Sequence, residues 1–181
     1  MSDAQDLIAR LLTAPEDGPI ERSGATAAFA TISGHTVAAV MQSRGLRDLT
    51  QPEQQLLDST DTIGHERRGT LYTGNVSAAA TTAILLPLRL PATVRATLGI
   101  GLDGEAFPTI TDVPLGRALS GLGTRREPLS VMLTPGEHDR AGHELVLCST
   151  ARLWLDRPVA LVTERVYREF LDSFPVEGSG T

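Results

Sequence analysis

The sequence contains no lysine, and all 16 of its basic residues are arginine. Schiff-base chemistry, pyridoxal phosphate attachment and a P-loop nucleotide site each need a primary amine, so all three are excluded. An anionic ligand would have to be held by arginine or by backbone amides. A guanidinium suits this task because it binds a carboxylate through two parallel hydrogen bonds.

Cysteine and long apolar runs are also scarce. The single cysteine, Cys148, cannot form an internal disulfide, and its apolar neighbours indicate a small buried side chain rather than an activated thiolate. No stretch approaches the roughly 20 apolar residues that a membrane helix needs, and residues 1–15 hold acids and an arginine where a secretion signal would be apolar. We therefore expect a cytoplasmic protein without a membrane partner.

The net charge of −6 disfavours the broad basic surface that holds a nucleic-acid backbone. The apolar share of 41% and the charged share of 21% are typical of globular proteins. A length of 181 residues suits one domain with a substantial core. We predict a single domain over residues 1–181, with a disordered tail over about 176–181 because glycine and serine dominate there.

Helical patterns come early in the chain and strand patterns cluster late. Helices are predicted between Asp3 and Pro15, over 24–32, 51–58 and 91–98, and from Pro114 onward. Strands are predicted over 35–41, 69–73, 79–86, 129–133, 144–155 and 159–164, with a turn at Gly74-Asn75. Because strict βαβ alternation is missing, we predict an α+β fold with an antiparallel sheet covered by helices.

Two patterns look chemical but lack the context that their chemistry needs. Residues 99–104 fit G-x-G-x-x-G, yet a helical stretch precedes them and Pro108 follows, whereas a dinucleotide site needs a strand before and a helix after. We predict a flexible loop or flap over 99–112. The four histidines show no ligand spacing, and Arg125 and Arg126 are interpreted as solvated charges. We expect no metal and no cofactor.

Two further segments stand out by their order and separation. Residues 113–119 read VPLGRAL, and residues 151–164 read ARLWLDRPVALVTE. The first is similar to the turn into a helix, P-L-G-x-x-L, of the chorismate lyase family, and the second resembles the late hairpin with which that family delivers a glutamate. Residues 83–87 and 34–37 resemble two of its strands. The resemblance covers most of residues 24–171.

The resemblance implies one antiparallel sheet of about six strands, flanked by helices and flaps that enclose a ligand cavity. It also implies a cofactor-free lyase, which eliminates pyruvate from chorismate, a small anionic pre-aromatic substrate, to give 4-hydroxybenzoate. Counting back along the hairpin places Arg68 where the family has its substrate-binding arginine. Arg68 and the amides of Leu115 and Thr26 would hold the ring carboxylate, and Glu164 would meet the ring hydroxyl. Glu164 and Arg68 are then the expected catalytic residues.

The chemistry of Glu164 is reasonable without the resemblance. Burial at the end of a strand would raise the pKa of its carboxyl, a nearby arginine would lower it, and either protonation state could serve in proton transfer. The sequence departs from the family in three places. Ala83 stands where a second arginine is common, the segment 88–113 is longer than in compact members, and Arg165 replaces an apolar residue.

Two alternatives keep the same fold. In one, the fold serves a different reaction, such as that of a cyclase or dehydratase on a biosynthetic intermediate. In the other, the chain is a small-molecule-sensing module, because effector domains of some transcription regulators share this fold. Such regulators carry an N-terminal winged-helix domain of roughly 70 residues, whereas only about 20 residues precede the matched region here, so the sequence favours an enzyme.

Overall fold

The computed structural model of the chain describes residues 24–109 and 111–175. The strands are β1 (Val37–Asp48), β2 (Ile63–Thr73), β3 (Val76–Leu85), β4 (Arg125–His138), β5 (Glu144–Trp154) and β6 (Pro158–Tyr167). The helices are α1 (Ala25–Ser33), α2 (Gln51–Leu56), α3 (Ala92–Leu98), α4 (Leu115–Ala118) and α5 (Arg168–Ser173), and a 3₁₀ turn spans Pro87–Arg89.

All six strands belong to one antiparallel sheet with the order β1-β2-β3-β6-β5-β4. Two three-stranded meanders, β1-β2-β3 and β4-β5-β6, therefore meet along a single seam between β3 and β6. The predicted fold class, an α+β fold with one antiparallel sheet of about six strands flanked by helices, is confirmed.

Local sequence signals explain several element boundaries. Helix α1 ends at Gly34, whose φ of 69° suits a residue without a Cβ. Thr50 and Glu53 form a capping box at the start of α2. The predicted turn at Gly74-Asn75 joins β2 and β3. Strand β2 begins at Ile63, six residues before the predicted start, because its polar first half pairs with β1 as well as β3.

Helices α2, α3 and α4 were all predicted from the sequence. Helices α2 and α3 lie where they were expected, while Pro114 occupies the N-cap of α4 rather than its first helical position. The helix predicted between Asp3 and Pro15 and the tail predicted over 176–181 lie outside the described residues.

Two apolar clusters lie on one face of the sheet, which we call the inner face. The first joins α1 and α5 to the sheet, and its rings Phe29 and Phe170 meet edge to face with centroids 4.9 Å apart. The second packs α3 and α4 against the sheet around Leu98, Leu119 and Leu153. A third cluster, with Leu57 beside α2 and Ile84 and Leu161 on the sheet, covers part of the opposite, outer face.

A polar band crosses the inner face between its two apolar clusters. In one row of paired residues, Thr81, Glu164 and Ser149 lie side by side on β3, β6 and β5. In the next row, Arg67 lies beside Ala83 on β3. Charged side chains in a sheet interior are unusual, because burying a charge is costly unless it is paired. The band therefore marks the candidate site.

Gly69 allows β1 and β2 to approach closely beside this band. A Cβ on Gly69 would lie 2.4 Å from both the carbonyl oxygen of Val40 and the Cε of Met41. The neighbouring strand has a register shift between Met41 and Ser43 at the same level. The missing side chain thus leaves space for the Met41 side chain and for the irregular backbone of β1.

We expect Gly69→Ala to lower the free energy of unfolding by roughly 1–3 kcal/mol or more, because the new methyl group meets backbone that cannot move aside. Gly45→Ala on β1 is the control, since a Cβ there has no neighbour within 4 Å. Urea denaturation of the two variants measures the difference. Equal stability of Gly69→Ala and wild type would contradict this interpretation of the close approach.

Candidate functional site

One extra residue in the β2–β3 hairpin decides which side chains of β2 face the helices. Next to the turn, Tyr72 pairs with Ser77, but the next pair is Leu71 with Ala79, so Ala78 is left without a partner on β2. Because side chains alternate along a strand, one extra residue on β3 reverses the faces of β2 relative to β3 from there on. Beyond this bulge Arg67 pairs with Ala83 and Gly69 pairs with Thr81.

Because of this bulge, the arginine that lies in the cavity is Arg67 and not Arg68, which the sequence had indicated. A regular hairpin would place Arg68 opposite Thr81, and Thr81 pairs with Glu164 across the seam. In the structure Arg68 instead points away from the band, with 53% of its side chain exposed and its Nε 2.8 Å from Oε1 of Glu66. The prediction that Arg68 and Glu164 enter one cavity is wrong, and Arg67, only 3% exposed, lies in that cavity instead.

The cavity lies above the polar band, between the sheet and the starts of α1 and α4. It encloses about 540 Å³ of space without protein atoms, part of which is open to solvent. Thr26, Leu115 and Glu164, three of the residues singled out from the sequence, all line it. The lining is completed by Gly24, Ala25, Met41, Arg67, Leu71, Thr81, Ala83, Pro114, Gly116, Arg126, Leu153 and Val162.

Arg67 is the deepest cation on one side of the cavity. Its Nη2 donates a hydrogen bond to the carbonyl of Val113 at 3.2 Å, while its Nε is buried with no hydrogen-bond partner in the described structure. Burial and, to a lesser degree, the charge of Arg44 lower the pKa of Arg67 to about 10, although the charge of Asp112 opposes the shift. The guanidinium therefore stays charged at neutral pH and keeps one donor unused.

Glu164 and Arg126 form the other polar part of the cavity. Nη2 of Arg126 donates to Oγ of Ser149 at 2.8 Å and lies 3.7 Å from Oε2 of Glu164, too far for a hydrogen bond but close for two charges. That Oε2 atom is buried with no hydrogen-bond partner among the described residues. Burial raises the pKa of Glu164, and the charge of Arg126 opposes the shift.

Arg126 was missed because adjacent arginines look like surface charges in a sequence. The structure places it on the inner face, 3% exposed, where it pairs with Leu153 of β5. The usable signal was alternation along β4, since adjacent side chains on a strand must face opposite sides. Arg125 and Arg126 could not both have been solvated on a sheet with a covered inner face.

The flap predicted from the G-x-G-x-x-G motif folds as a tight loop closed by an isolated β-bridge between Ile100 and Ala106. Gly99 and Gly104 have φ values of 69° and 86°, and a Cβ on Gly101 would meet Oδ1 of Asp103 at 2.5 Å. The positive φ values favour glycine at Gly99 and Gly104. The loop itself lies where it was predicted, and its flexibility stays a prediction.

His65 holds this loop against β2. The histidine is fully buried, and its Nδ1 lies 2.7 Å from the carbonyl oxygen of Gly104, so the Nδ1–H is the donor. Burial lowers the pKa of His65, and the hydrogen bond to Gly104 opposes this shift. His65 is therefore neutral at pH 7 and fixes the loop beside the cavity.

Residues 24–109 and 111–175 contain no group of three or more histidine, cysteine or acidic side chains that could hold a metal ion. Within the same residues, no helix has both the length and the apolar content to cross a membrane.

Comparison with family models gives no match, and neither does comparison with curated proteins. Solved structures do match. The ligand-binding domain of a regulator assigned to the GntR family of transcriptional regulators, from Bordetella bronchiseptica, is 11% identical with a TM-score of 0.52, over 74% of this chain and 86% of that chain. The effector domain of PhnF from Mycobacterium smegmatis is 14% identical with a TM-score of 0.50, over 79% and 87%.

A third structure, of a protein described as a regulator from Escherichia coli CFT073, is 14% identical with a TM-score of 0.50, over 71% of this chain and 93% of that chain. At such low identities these similarities establish the fold. They also overturn the family assignment made from the sequence. The three compared structures are regulators or domains of regulators, so the assignment to the chorismate lyase family is wrong, together with the enzyme class, the substrate, the products and the biosynthetic role drawn from it.

The raised pKa of Glu164 predicts how its contribution to stability depends on pH. The folded protein holds the proton more tightly than the unfolded chain, whose carboxyl has an ordinary value near 4.5. The stability gained from this proton is complete below pH 4.5 and is lost as the pH rises through the folded-state value. Glutamine imitates the protonated form, so wild type should lose stability relative to Glu164→Gln as the pH increases.

Urea denaturation of both proteins between about pH 4 and pH 8 measures this difference. The control is Glu169→Gln, which removes an exposed carboxylate and so accounts for the change in net charge. A stability difference between wild type and Glu164→Gln that does not change with pH would show that the carboxyl is not perturbed by burial.

Proposed function

We propose that this chain is a small-molecule-sensing effector domain, which binds a small monoanionic ligand between Arg67 and Glu164 and does not transform it. The observation that carries the proposal is a pair of unsatisfied buried polar atoms, Nε of Arg67 and Oε2 of Glu164, in side chains that line one cavity. A buried polar atom without a hydrogen-bond partner costs free energy. A ligand that supplies a partner for both the donor and the acceptor would recover this cost.

The Arg67 side of the cavity suits an anion. A carboxylate or phosphate there would gain a charged hydrogen bond from the guanidinium. The first turn of α1 adds to this attraction, because Gly24 at its N-cap has no side chain that could bond its first amides, and Gly24, Ala25 and Thr26 all line the cavity. Helix N-termini favour negative charge through these amides.

The Glu164 side suits a hydrogen-bond donor on the ligand. Its free Oε2 can accept a bond from a hydroxyl or an ammonium group, while Arg126 and Ser149 hold the carboxylate region in place. Arg126 balances the charge of Glu164, and Asp112 balances that of Arg44 at 3.6 Å. Arg67 is left as the cation without a full counter-charge, which favours a ligand with one negative charge.

Apolar side chains separate the two polar ends. Met41, Leu71, Ala83 and Val162 line the cavity between them, so the body of the ligand should be apolar, as in a ring. The fold neighbours support sensing over turnover, since the Bordetella bronchiseptica structure is a ligand-binding domain and the Mycobacterium smegmatis structure is an effector domain.

Thermal unfolding with a small panel of probes tests the proposal. Benzoate and 3-hydroxybenzoate supply a single negative charge on a ring, and benzamide is the neutral control. A probe at about 100 times its Kd should stabilise the fold by roughly 2.7 kcal/mol. We expect the anions to raise Tm and benzamide to have no effect. Mass spectrometry of the recovered probe should find it chemically unchanged.

Two neighbouring arginines provide matched variants. Arg67→Gln should weaken anion binding by about 2–5 kcal/mol, because the buried carboxylate loses its charged partner. Arg68→Gln removes the same charge from the outer face and should bind as wild type does. Equal effects of the two variants would show that anions bind through net charge alone, and conversion of a probe to product would refute a purely sensing role.

A further inference from the structure

Residues outside the sheet form part of the cavity wall. Leu115 and Gly116 line the cavity at the start of α4, and Val113 just before them accepts the hydrogen bond of Arg67. Helix α4 is only four residues long, so it has little intrinsic stability of its own. Leu115 packs against the second cluster, and Nη2 of Arg117 donates to the carbonyl of Val37 at 3.3 Å, so the helix itself is held, and the residues just before it need an attachment of their own.

Asp112 supplies that attachment at the edge of the sheet. Strand β1 lies at the edge of the sheet, so its outward amides have no neighbouring strand to bond within the part of the chain that the structure describes. The amide of Met41 donates instead to Oδ2 of Asp112 at 2.7 Å, at the register shift of β1. Oδ1 of the same carboxylate lies 3.6 Å from Nη1 of Arg44, which also donates to Oγ1 of Thr109 at 3.2 Å.

We propose that Asp112 is a positioning residue for the ligand cavity, which acts by fixing residues 113–116 to β1 through the Met41 amide. The ligand-binding part of this inference rests on the proposed function. Fixing these residues brings the Val113 carbonyl to Arg67 and sets Leu115 and Gly116 as the wall opposite the sheet. Met41 belongs to the same attachment, because its amide donates a hydrogen bond to Asp112 and the residue also lines the cavity.

The hydrogen bond and the charge of Asp112 have opposite effects on an anion. The hydrogen bond builds the cavity wall, whereas the negative charge lies close enough to act on Arg67 and competes with the ligand for it. Asparagine keeps an acceptor for the Met41 amide and removes the charge. Alanine removes both. A positioning role therefore predicts different results for two substitutions that a simple charge effect would treat alike.

Hydrogen exchange by NMR tests the attachment without any ligand. In wild type the Met41 amide should be protected, although it lies on an edge strand. Asp112→Ala should speed exchange by at least about tenfold at Met41 and at residues 117–119, whose amides bond to the carbonyls of Pro114 and Leu115, while Asp112→Asn preserves protection. Asp103→Ala is the control, because Asp103 bonds the amide of Glu105 within the same loop.

Benzoate binding then tests the consequence for the cavity. Asp112→Ala should weaken benzoate by at least about tenfold, whereas Asp112→Asn should stay within about threefold of wild type or bind more tightly. Fast exchange at Met41 in wild type, or unchanged exchange at residues 117–119 in Asp112→Ala, would overturn the proposal. If wild type binds no benzoate, the exchange results still decide the attachment, and the failure then belongs to the ligand proposal.

Discussion

The single extra residue at Ala78 is the constraint on which the arrangement of the site depends. Side chains alternate strictly along a strand, so one unpaired residue on β3 reverses the faces of β2 relative to β3 beyond it. Ala78 is completely buried in the cluster that holds Phe29 and Phe170, so the core that packs α1 and α5 also holds the bulge. The apolar packing at one end of the sheet therefore determines which arginine lies at its centre.

The burial of Arg67 and Glu164 explains both the chemistry of the cavity and its cost in folding free energy. Burial lowers the pKa of Arg67 and raises the pKa of Glu164, because the water that would stabilise their charged forms is excluded. Arg126 offsets part of this cost for Glu164 and Asp112 for Arg67. The two unsatisfied atoms that remain are what a bound molecule would satisfy, so binding and stability are linked at the same place.

The sheet and four of the five described helices, α1 to α4, could be predicted from the sequence because those signals are local, whereas α5 was not predicted. Gly74-Asn75 identifies a hairpin turn, and the late strands alternate clearly. The position of Arg67 could not be predicted in this way, since the bulge at Ala78 results from packing against α1 and α5 and leaves no sign in the hairpin itself. The burial of Arg126 could not be predicted for a related reason, because its partner Ser149 lies on another strand.

Function was harder to predict than fold because the same residue types serve catalysis and binding. A buried glutamate near an arginine is compatible with proton transfer and with holding a ligand, and the short motifs around Leu115 and Glu164 describe backbone shape more than reaction. The compared structures from Bordetella bronchiseptica and Mycobacterium smegmatis are a ligand-binding domain and an effector domain. The sequence alone could not separate these uses, because both need the same enclosed cavity.

The meeting of two meanders along one seam has a mechanical consequence. Each meander is continuous in sequence, but the sheet between them depends on one pair of strands, β3 and β6. Arg67 belongs to the first meander, and Glu164 and Arg126 belong to the second. A molecule bound by both sides would act as a non-covalent crosslink across the seam, resisting shear between the halves and making the whole sheet stiffer when the cavity is filled.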